Sequence, residues 1–281
     1  MSNKGILYIV ATPIGNIGDI SVRAREVLQD VHKIAAEDTR HSKPLLQRLG
    51  IDTEMISYHD FSNEAAVPVI IDELLGGNSI ALISDAGTPL ISDPGYKLVR
   101  MARASGISVL PIPGASSVTA ALSVSGLATD RFAFEGFLPK KPGARQKLLR
   151  DLKKEERTIV LFESTHRIVE SLRDMAEIFP VSKQVFVARE ISKKFETHFL
   201  GSASDCLQWV ESDKDQQKGE FVLVLQGSNE SEIEAVRQEA ALKILELLGS
   251  SISTKDAVAI ASEISGARKN QLYENALASK S

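Results

Sequence analysis

A few short segments hold most of the residues in this chain whose types and spacing suit chemistry. SDAGTPLISDPG (84–95) places two Asp, two Gly and two Pro within twelve residues. Glycines let backbone amides approach a ligand closely. Asp85 and Asp93 can accept hydrogen bonds from a ligand's amine or ribose, or cap helices. Asp93, standing before Pro94, reads as the N-cap of a helix, whereas Asp85 is harder to explain as a cap. PGASS (113–117) carries the same two readings, with Ser116 and Ser117 offering hydroxyls and amides to a ligand or to the next helix. ATPIGNIGD (11–19), EDTRHS (37–42) and the pair His59-Asp60 complete a first group. Further along, Arg189, Glu190, Lys193 and Glu196 alternate in sign at spacings that fit one helical face, or a plain solvated turn. FESTHR (162–167) follows an apolar run, which brings His166 and Arg167 near a strand end.

Several chemistries are excluded. No G-x-x-x-x-G-K-[ST] phosphate loop occurs, TPIGNIG stands where a dinucleotide fold has G-x-G-x-x-G, and no G-x-S-x-G nucleophile turn is present. The single cysteine, Cys206, rules out an internal disulfide and a multi-cysteine zinc site, and the five histidines have no ligand spacing. No metal site is expected. A ligand held by turns and carbonyls without a phosphate cradle fits a nucleoside-like cofactor that carries no phosphates.

Apolar runs predict strands at 6–11, 33–36, 55–58, 79–83 and 107–112. Helical spacing covers 22–31, 44–49, 68–75, 94–105 and 116–125. The alternation predicts a mainly parallel sheet covered on both faces, and each chemical segment of the first group follows a strand. Ligands bind at that carboxyl edge. From about residue 131 the pattern restarts, with strands at 158–162, 184–188, 196–200 and 221–225 and a helix at 166–178. Residues 227–230 read as a linker, followed by helices at 231–248, 255–264 and 268–277. The last two, joined through Ser265-Gly266-Ala267, have helix-turn-helix form, with a small capping or dimerising bundle as the alternative. The expected units are an α/β domain at 1–125, a second α/β domain at 126–228, and a helical extension at 229–281.

The formal net charge of -4 weakens any reading that needs a uniformly basic surface. The charge is unevenly spread, however. LPKKPGARQKLLRDLKKEER (138–157) holds eight basic and three acidic residues, so Lys140, Lys141, Arg145, Lys147 and Arg150 suit an RNA landing strip or a solvated helix face. No apolar run approaches the ~20 residues that span a bilayer. The apolar stretch near the N-terminus lacks an A-x-A-like cleavage site, so a cytoplasmic protein without membrane association is expected.

The segments LYIVATPIGNIGDIS, AAEDTRHS, ISDAGTPLISDPG, PIPGASS, FEGFLP, FESTHR, REISKKFE and GEFVLV occur in this order over roughly residues 6–225. Through them the chain resembles the tetrapyrrole-methylase superfamily of S-adenosylmethionine-dependent methyltransferases. TPIGN and SDAG, where porphyrin-modifying members carry G-x-G-P-G-type and GDP sequences, point to its RNA-modifying branch. The resemblance implies two unequal α/β domains with S-adenosylmethionine in the cleft between them, a homodimer, and a helix-turn-helix extension. It implies 2'-O-methylation of a cytidine ribose in small-subunit (16S) ribosomal RNA, within the small ribosomal subunit. Carried over by position, the cofactor contacts are Pro13, Asp85, Ala86, Gly87, Ile91, Ser116 and Ser117, with Phe162, Ala188 and Glu220 from the second domain. A ribose hydroxyl is a weak nucleophile, so a base or cationic stabiliser is expected to help. The candidate bases are Glu37, Asp38 and Glu190, and the stabilisers Arg40, Arg189 and Lys193; alternatively, Asp38 and Arg40 form a structural ion pair. Arg189 is a further candidate for gripping RNA phosphate. Two rivals stay open, a tetrapyrrole methyltransferase of the same fold and a non-enzymatic RNA-binding assembly factor.

Overall fold

The computed structural model describes residues 4–58, 66–248 and 252–278. His59 and Asp60 lie outside the described residues. The chain opens with five strands alternating with helices: β1 (Ile6–Val10), α1 (Val22–Asp30), β2 (Lys33–Ala36), α2 (Thr39–Leu49), β3 (Met55–Ser57), α3 (Ala66–Leu75), β4 (Ile80–Ile83), α4 (Tyr96–Ala104), β5 (Ser108–Ile112) and α5 (Ser117–Val124). The strands form one parallel sheet in the order β3-β2-β4-β1-β5. Side chains alternate across a strand, and β4 shows why this sheet must be covered twice. Ile80 and Leu82 pack with Leu74 and Leu98 on one face, whereas Ala81 and Ile83 pack with Leu28 and Leu46 on the other.

The second sheet contains β6 (Phe132–Phe137), then α6 (Pro142–Asp151), β7 (Thr158–Ser164), α7 (Ile168–Ile178), β8 (Gln184–Arg189), β9 (Thr197–Ser202), α8 (Ala203–Ser212) and β10 (Glu220–Leu225). Its order is β6-β7-β10-β8-β9, parallel between β6 and β7 and antiparallel elsewhere. Helices α6, α7 and α8 bury Leu149, Leu172, Met175, Cys206 and Val210 against one face. The other face is covered by α5. Its Val118, Ala121 and Leu122 pack on Val160, Phe186, Val222 and Val224, so a helix from the first 125 residues completes the core of the second sheet.

Several expected elements differ in detail. Helix α2 begins at Thr39 instead of Pro44, because the Asp38 side chain accepts a hydrogen bond from the Arg40 amide and caps it five residues earlier. Helix α4 begins at Tyr96 with Gly95 as N-cap, so Asp93 is not the cap; Leu90 and Ser92, both left-handed, turn the loop before it. Residues 189–196 form no helix, since Glu190 and Ser192 are also left-handed and the chain there makes turns. Strand β6 and helix α8 were not expected. β6 is a half-exposed edge strand with a register shift between Phe134 and Gly136, and α8 starts at a Ser202–Asp205 capping box.

The C-terminal helices are α9 (Glu230–Leu248), α10 (Thr254–Ser265) and α11 (Lys269–Ala278). Ala241 of α9 packs with Val258, Ala261 and Leu272, and Gly266 ends α10 in a left-handed cap. The residues before α9 are held firmly. Ser228 donates from its amide to Glu155 O at 2.7 Å and from its hydroxyl to Lys153 O at 2.9 Å. The buried Lys183 ammonium donates to the same hydroxyl at 2.7 Å, and burial pushes the Lys183 pKa down. Among the described residues no helix is long and apolar enough to cross a membrane.

Helix α6 is pinned to α7 by Arg145, which is 2 % exposed. Its Nε donates to Asp174 Oδ2 at 2.6 Å, and Glu170 lies 3.5 Å from Nη2. Removing one partner of a buried pair leaves the other charge uncompensated. Asp174→Ala is therefore expected to lower the unfolding free energy by about 3 kcal/mol in urea denaturation, with much of it regained in the double variant Arg145→Met, Asp174→Leu.

Candidate active site

The carboxyl ends of β4, β1 and β5 lie side by side, so their loops converge. Thr12 and Gly87 exchange backbone hydrogen bonds at 2.8 and 3.0 Å, and Thr88 Oγ1 donates to Ala115 O at 3.1 Å. Gly87 has φ +79°, and a Cβ there would sit 3.2 Å from Ile14 Cγ2, so the close approach and the backbone conformation both favour glycine. Opposite these loops stand the ends of β7, β8 and β10. Between the two walls runs a cleft of about 460 Å³.

Most of the expected cofactor contacts meet here. Ala86, Gly87, Ile91, Ser116 and Ser117 line one wall, and Phe162, Ala188 and Glu220 the other. Pro13 and Asp85 line an adjoining cavity instead. Ser116 is the N-cap of α5 by position but makes no side-chain capping hydrogen bond. His166 lines the cleft. Arg167 instead turns to the buried Glu163, 2.7 Å away, whose other oxygen accepts from Ser171 Oγ.

The lining also contains Phe137, Ser164 and Ile191, which sequence reasoning did not assign to a site, and Asp93, for which ligand acceptor and helix cap were both open. Phe137 ends an unexpected strand. Burial pushes the Asp93 carboxyl above its ordinary range; neighbouring Asp85 acts in the same direction and Ser84 opposes it. Ser164 Oγ is buried without a hydrogen-bond partner. Such orphans are rare in folded proteins, and this one fits a ligand that brings its own donor or acceptor. The remaining walls are mostly apolar, with Phe137 packed edge-on against Phe162 at 5.4 Å. An apolar cleft with a few convergent polar groups suits a small organic ligand. Among the described residues no group of three or more His, Cys, Asp or Glu is placed to hold a metal ion.

The expected catalytic groups divide. Glu37, Asp38 and Arg40 line neither the cleft nor the adjoining cavity. Asp38 is occupied as the cap of α2, and Arg40 Nη2 lies 2.9 Å from its carboxylate. The structural ion pair is what is observed, and the Asp38 amide donates to Asp85 Oδ1 at 3.2 Å, which keeps this segment beside the adjoining cavity. Lys193 lines the adjoining cavity, and Glu190, which lines neither space, is held to it through Lys193 and Glu220. Lys193 Nζ donates to Glu190 Oε1 and to Glu220 Oε2, each at 2.9 Å, and Glu190 Oε1 also accepts from the Glu220 amide. Burial opposes the ionised form of Glu190, but the Glu220 amide and the Lys193 ammonium outweigh it and hold the carboxyl below its ordinary range. The Lys193 stem lies over Gly15, where a Cβ would fall 2.2 Å from Lys193 Cγ. Ser192 Oγ also donates to Asp19, so the loops after β1 and β8 are joined across the cleft mouth.

Two expected RNA contacts are corrected. Arg145 is buried in its pair with Asp174. Arg189 is buried as well, with Nε donating to Lys218 O at 2.6 Å and Nη1 to Phe195 O at 2.9 Å, so it fastens two loops and has no reach to phosphate. Lys140, Lys141, Lys147 and Arg150 are exposed.

The comparisons with known proteins agree with this architecture. A family model described as Tetrapyrrole (Corrin/Porphyrin) Methylases matches residues 6–206, and one described as RsmI C-terminal HTH domain matches residues 235–280. The chain is 48% identical over 275 residues to the Ribosomal RNA small subunit methyltransferase I of Pseudomonas aeruginosa, covering 98% of each chain. It is 45% identical over 276 residues to the protein of that name from Escherichia coli O157:H7, covering 98% of this chain and 96% of the relative. Among solved structures, uroporphyrin-III-C-methyltransferase from Thermus thermophilus aligns with TM-score 0.57 at 21% identity, over 79% of this chain and 94% of that one. A diphthine synthase aligns with TM-score 0.60 at 16% identity, over 83% and 95%. At those identities the likeness is one of fold.

The Asp38 cap gives a pH signature. The Arg40 side chain and amide hold the Asp38 carboxyl down, from 3.8 to about 2. A depressed folded-state pKa contributes stability above the unfolded value, and that stability is lost as pH falls through the folded one. Asp38→Asn, which keeps a capping oxygen but carries no charge, is expected to flatten the acid side of the Tm profile between about pH 5 and pH 2.

Proposed function

Because the chain belongs to the tetrapyrrole (corrin/porphyrin) methylases, we propose that it transfers a methyl group from S-adenosylmethionine to the ribose 2'-hydroxyl of a cytidine in small-subunit ribosomal RNA. The observation that carries this reading is the full-length identity with relatives named Ribosomal RNA small subunit methyltransferase I, taken together with the charge of the cleft. Its described lining includes Asp93, Glu163 and Glu220 and no Lys or Arg. Without a lining cation it is unsuited to a phosphate-bearing cofactor and suited to a nucleoside that carries no phosphate, its glutamates being offset by Arg167 and Lys193. S-adenosylmethionine supplies an electrophilic methyl on a sulfonium.

The chain's residues bind, orient and exclude water. Ala86 and Gly87 bring backbone close to the ligand, and Ser116, Ser117 and Ser164 offer hydrogen bonds. Phe137, Phe162 and Ile191 keep the cleft dry. In such a site much of the acceleration comes from positioning and from removal of solvent. Lys193 keeps Glu220 against the cleft through their 2.9 Å contact and supplies the cationic field at its mouth. The active form is a cytoplasmic homodimer that acts on the small ribosomal subunit, as the family resemblance implies. Its working units are residues 1–125, 126–228 and 229–281, with the cofactor between the first two. The exposed Lys140, Lys141, Lys147 and Arg150 attract the RNA backbone at long range.

Mass spectrometry of small-subunit ribosomal RNA tests the assignment. Cells lacking the protein are expected to lose ribose methylation at one cytidine. The unmutated gene restores it, and Ser117→Trp, whose side chain fills the cleft, does not. Unchanged ribose methylation, or methyl transfer to a porphyrinogen in its place, would overturn the reading. Reversing Lys140 and Lys141 together is expected to raise KM for the RNA substrate several-fold (roughly one phosphate contact's worth each) while calorimetry finds unchanged S-adenosylmethionine affinity.

A further inference from the structure

The cofactor cleft does not end at its mouth. It shares Ile14, Ala86 and Glu220 with the adjoining cavity of about 420 Å³. That cavity adds Pro13, His41, Pro44, Leu45 and Asp85, giving an apolar floor with a carboxylate on its inner side, and Arg48 and Lys193 stand at its outer rim, where it meets the next groove. Its size suits a nucleoside. Past Ile17 and Lys193 it continues into a groove of about 330 Å³, between the loop after β1, the last turn of α2 and the loop after β8.

In that groove the chemistry changes sign. Arg48, in the last turn of α2, is exposed and forms no ion pair among the described residues. Lys194, on the facing loop, is exposed, lies over the Phe195 ring at 5.4 Å, and likewise has no carboxylate partner among the described residues. Lys193 beside them is already engaged by Glu190 and Glu220. Two uncommitted cations therefore face one groove, one from each sheet's unit, with carboxylates further in at Asp85 and Glu220.

We propose that Arg48 and Lys194 form a phosphate clamp that seats the RNA strand at the cleft mouth, with the acceptor nucleoside in the 420 Å³ cavity. The inference rests on the ribosomal RNA reading above. The charge order decides the polarity. Phosphate is repelled by the inner carboxylates and held by the outer cations, while a sugar hydroxyl can pass inward toward the donor. An arginine matches a phosphate with two parallel hydrogen bonds, and the lysine opposite adds a point charge. Because the clamp draws on both units, bound RNA also bridges the loops that Ser192 and Asp19 join.

The test uses the full-length protein with Arg48→Glu, Lys194→Glu and the double variant. The substrate is small ribosomal subunits lacking the methyl group, assayed across a potassium chloride series. Each single variant is expected to raise KM about tenfold and to reduce the salt slope by about one, with the double variant near the product. S-adenosylmethionine affinity stays unchanged by calorimetry, kcat changes little, and Arg48→Lys, which keeps the charge but not the paired hydrogen bonds, keeps the salt slope while recovering only part of the KM. Unmutated KM and salt slope in the reversals would overturn the clamp alone. So would a KM rise independent of salt, or one matched by lost cofactor affinity. Absence of any methyl transfer by the unmutated protein would overturn the ribosomal RNA reading itself, and the clamp with it.

Discussion

The second sheet has two apolar faces and helices of its own for only one of them. Ile159, Leu161, Val185 and Leu223 are covered by α6, α7 and α8. Val160, Phe186, Ala188, Val222 and Val224 are covered by α5, which follows the last strand of the first sheet. Burying apolar surface contributes about 25 cal/mol per Å², so parting α5 from this face is costly. The cleft inherits its geometry from that seat. Ser116 and Ser117 stand at the start of α5, where the chain leaves the first sheet's carboxyl edge and enters the second sheet's core. Cleft-lining residues from both halves are thus brought together by one helix, and the join between the halves is a packed core.

Charge in this protein is sorted by environment more than by amount. Arg145, Arg189 and Lys183 are buried and hold helices and loops in place. Arg167 serves the buried Glu163. Lys193 neutralises two glutamates at the cleft mouth. The cations left to meet a polyanion are those with neither burial nor a carboxylate partner. A net charge of -4 is compatible with an anionic substrate because what matters is the local field along its path.

Most of the first sheet was legible because parallel strands buried on both faces read as short continuous apolar runs, as IALI does in β4. The carboxyl-edge rule then collected the cleft's small residues and carboxylates from loops distant in sequence. Other features depend on partners that a linear reading does not supply. Arg145 lies in a run of basic residues and looks like its neighbours until Asp174 is brought to it from twenty-nine positions away. Asp93 precedes a proline as a helix cap does, yet the left-handed Leu90 and Ser92 turn it toward the cleft. Arg189 and Lys193 share helical spacing, but left-handed Glu190 and Ser192 break the helix that would have put them on one face. Ser164 shows no signal in sequence at all. Its significance is a missing hydrogen bond, visible only in three dimensions.

The segment before α9 was read as a linker from its Gly-Ser-Asn composition. Ser228 instead joins three chain segments through Glu155, Lys153 and Lys183, and leads into a helix of 19 residues. A flexible tether contributes to binding through effective concentration, which depends on its length and falls as it grows. A bracketed helix is a strut: it holds its cargo at a set distance and bearing, about 1.5 Å further out for each residue. The terminal helices therefore leave the second sheet's unit on a set bearing. Lengthening α9 by one residue would rotate the helices beyond it by about 100° as well as advance them.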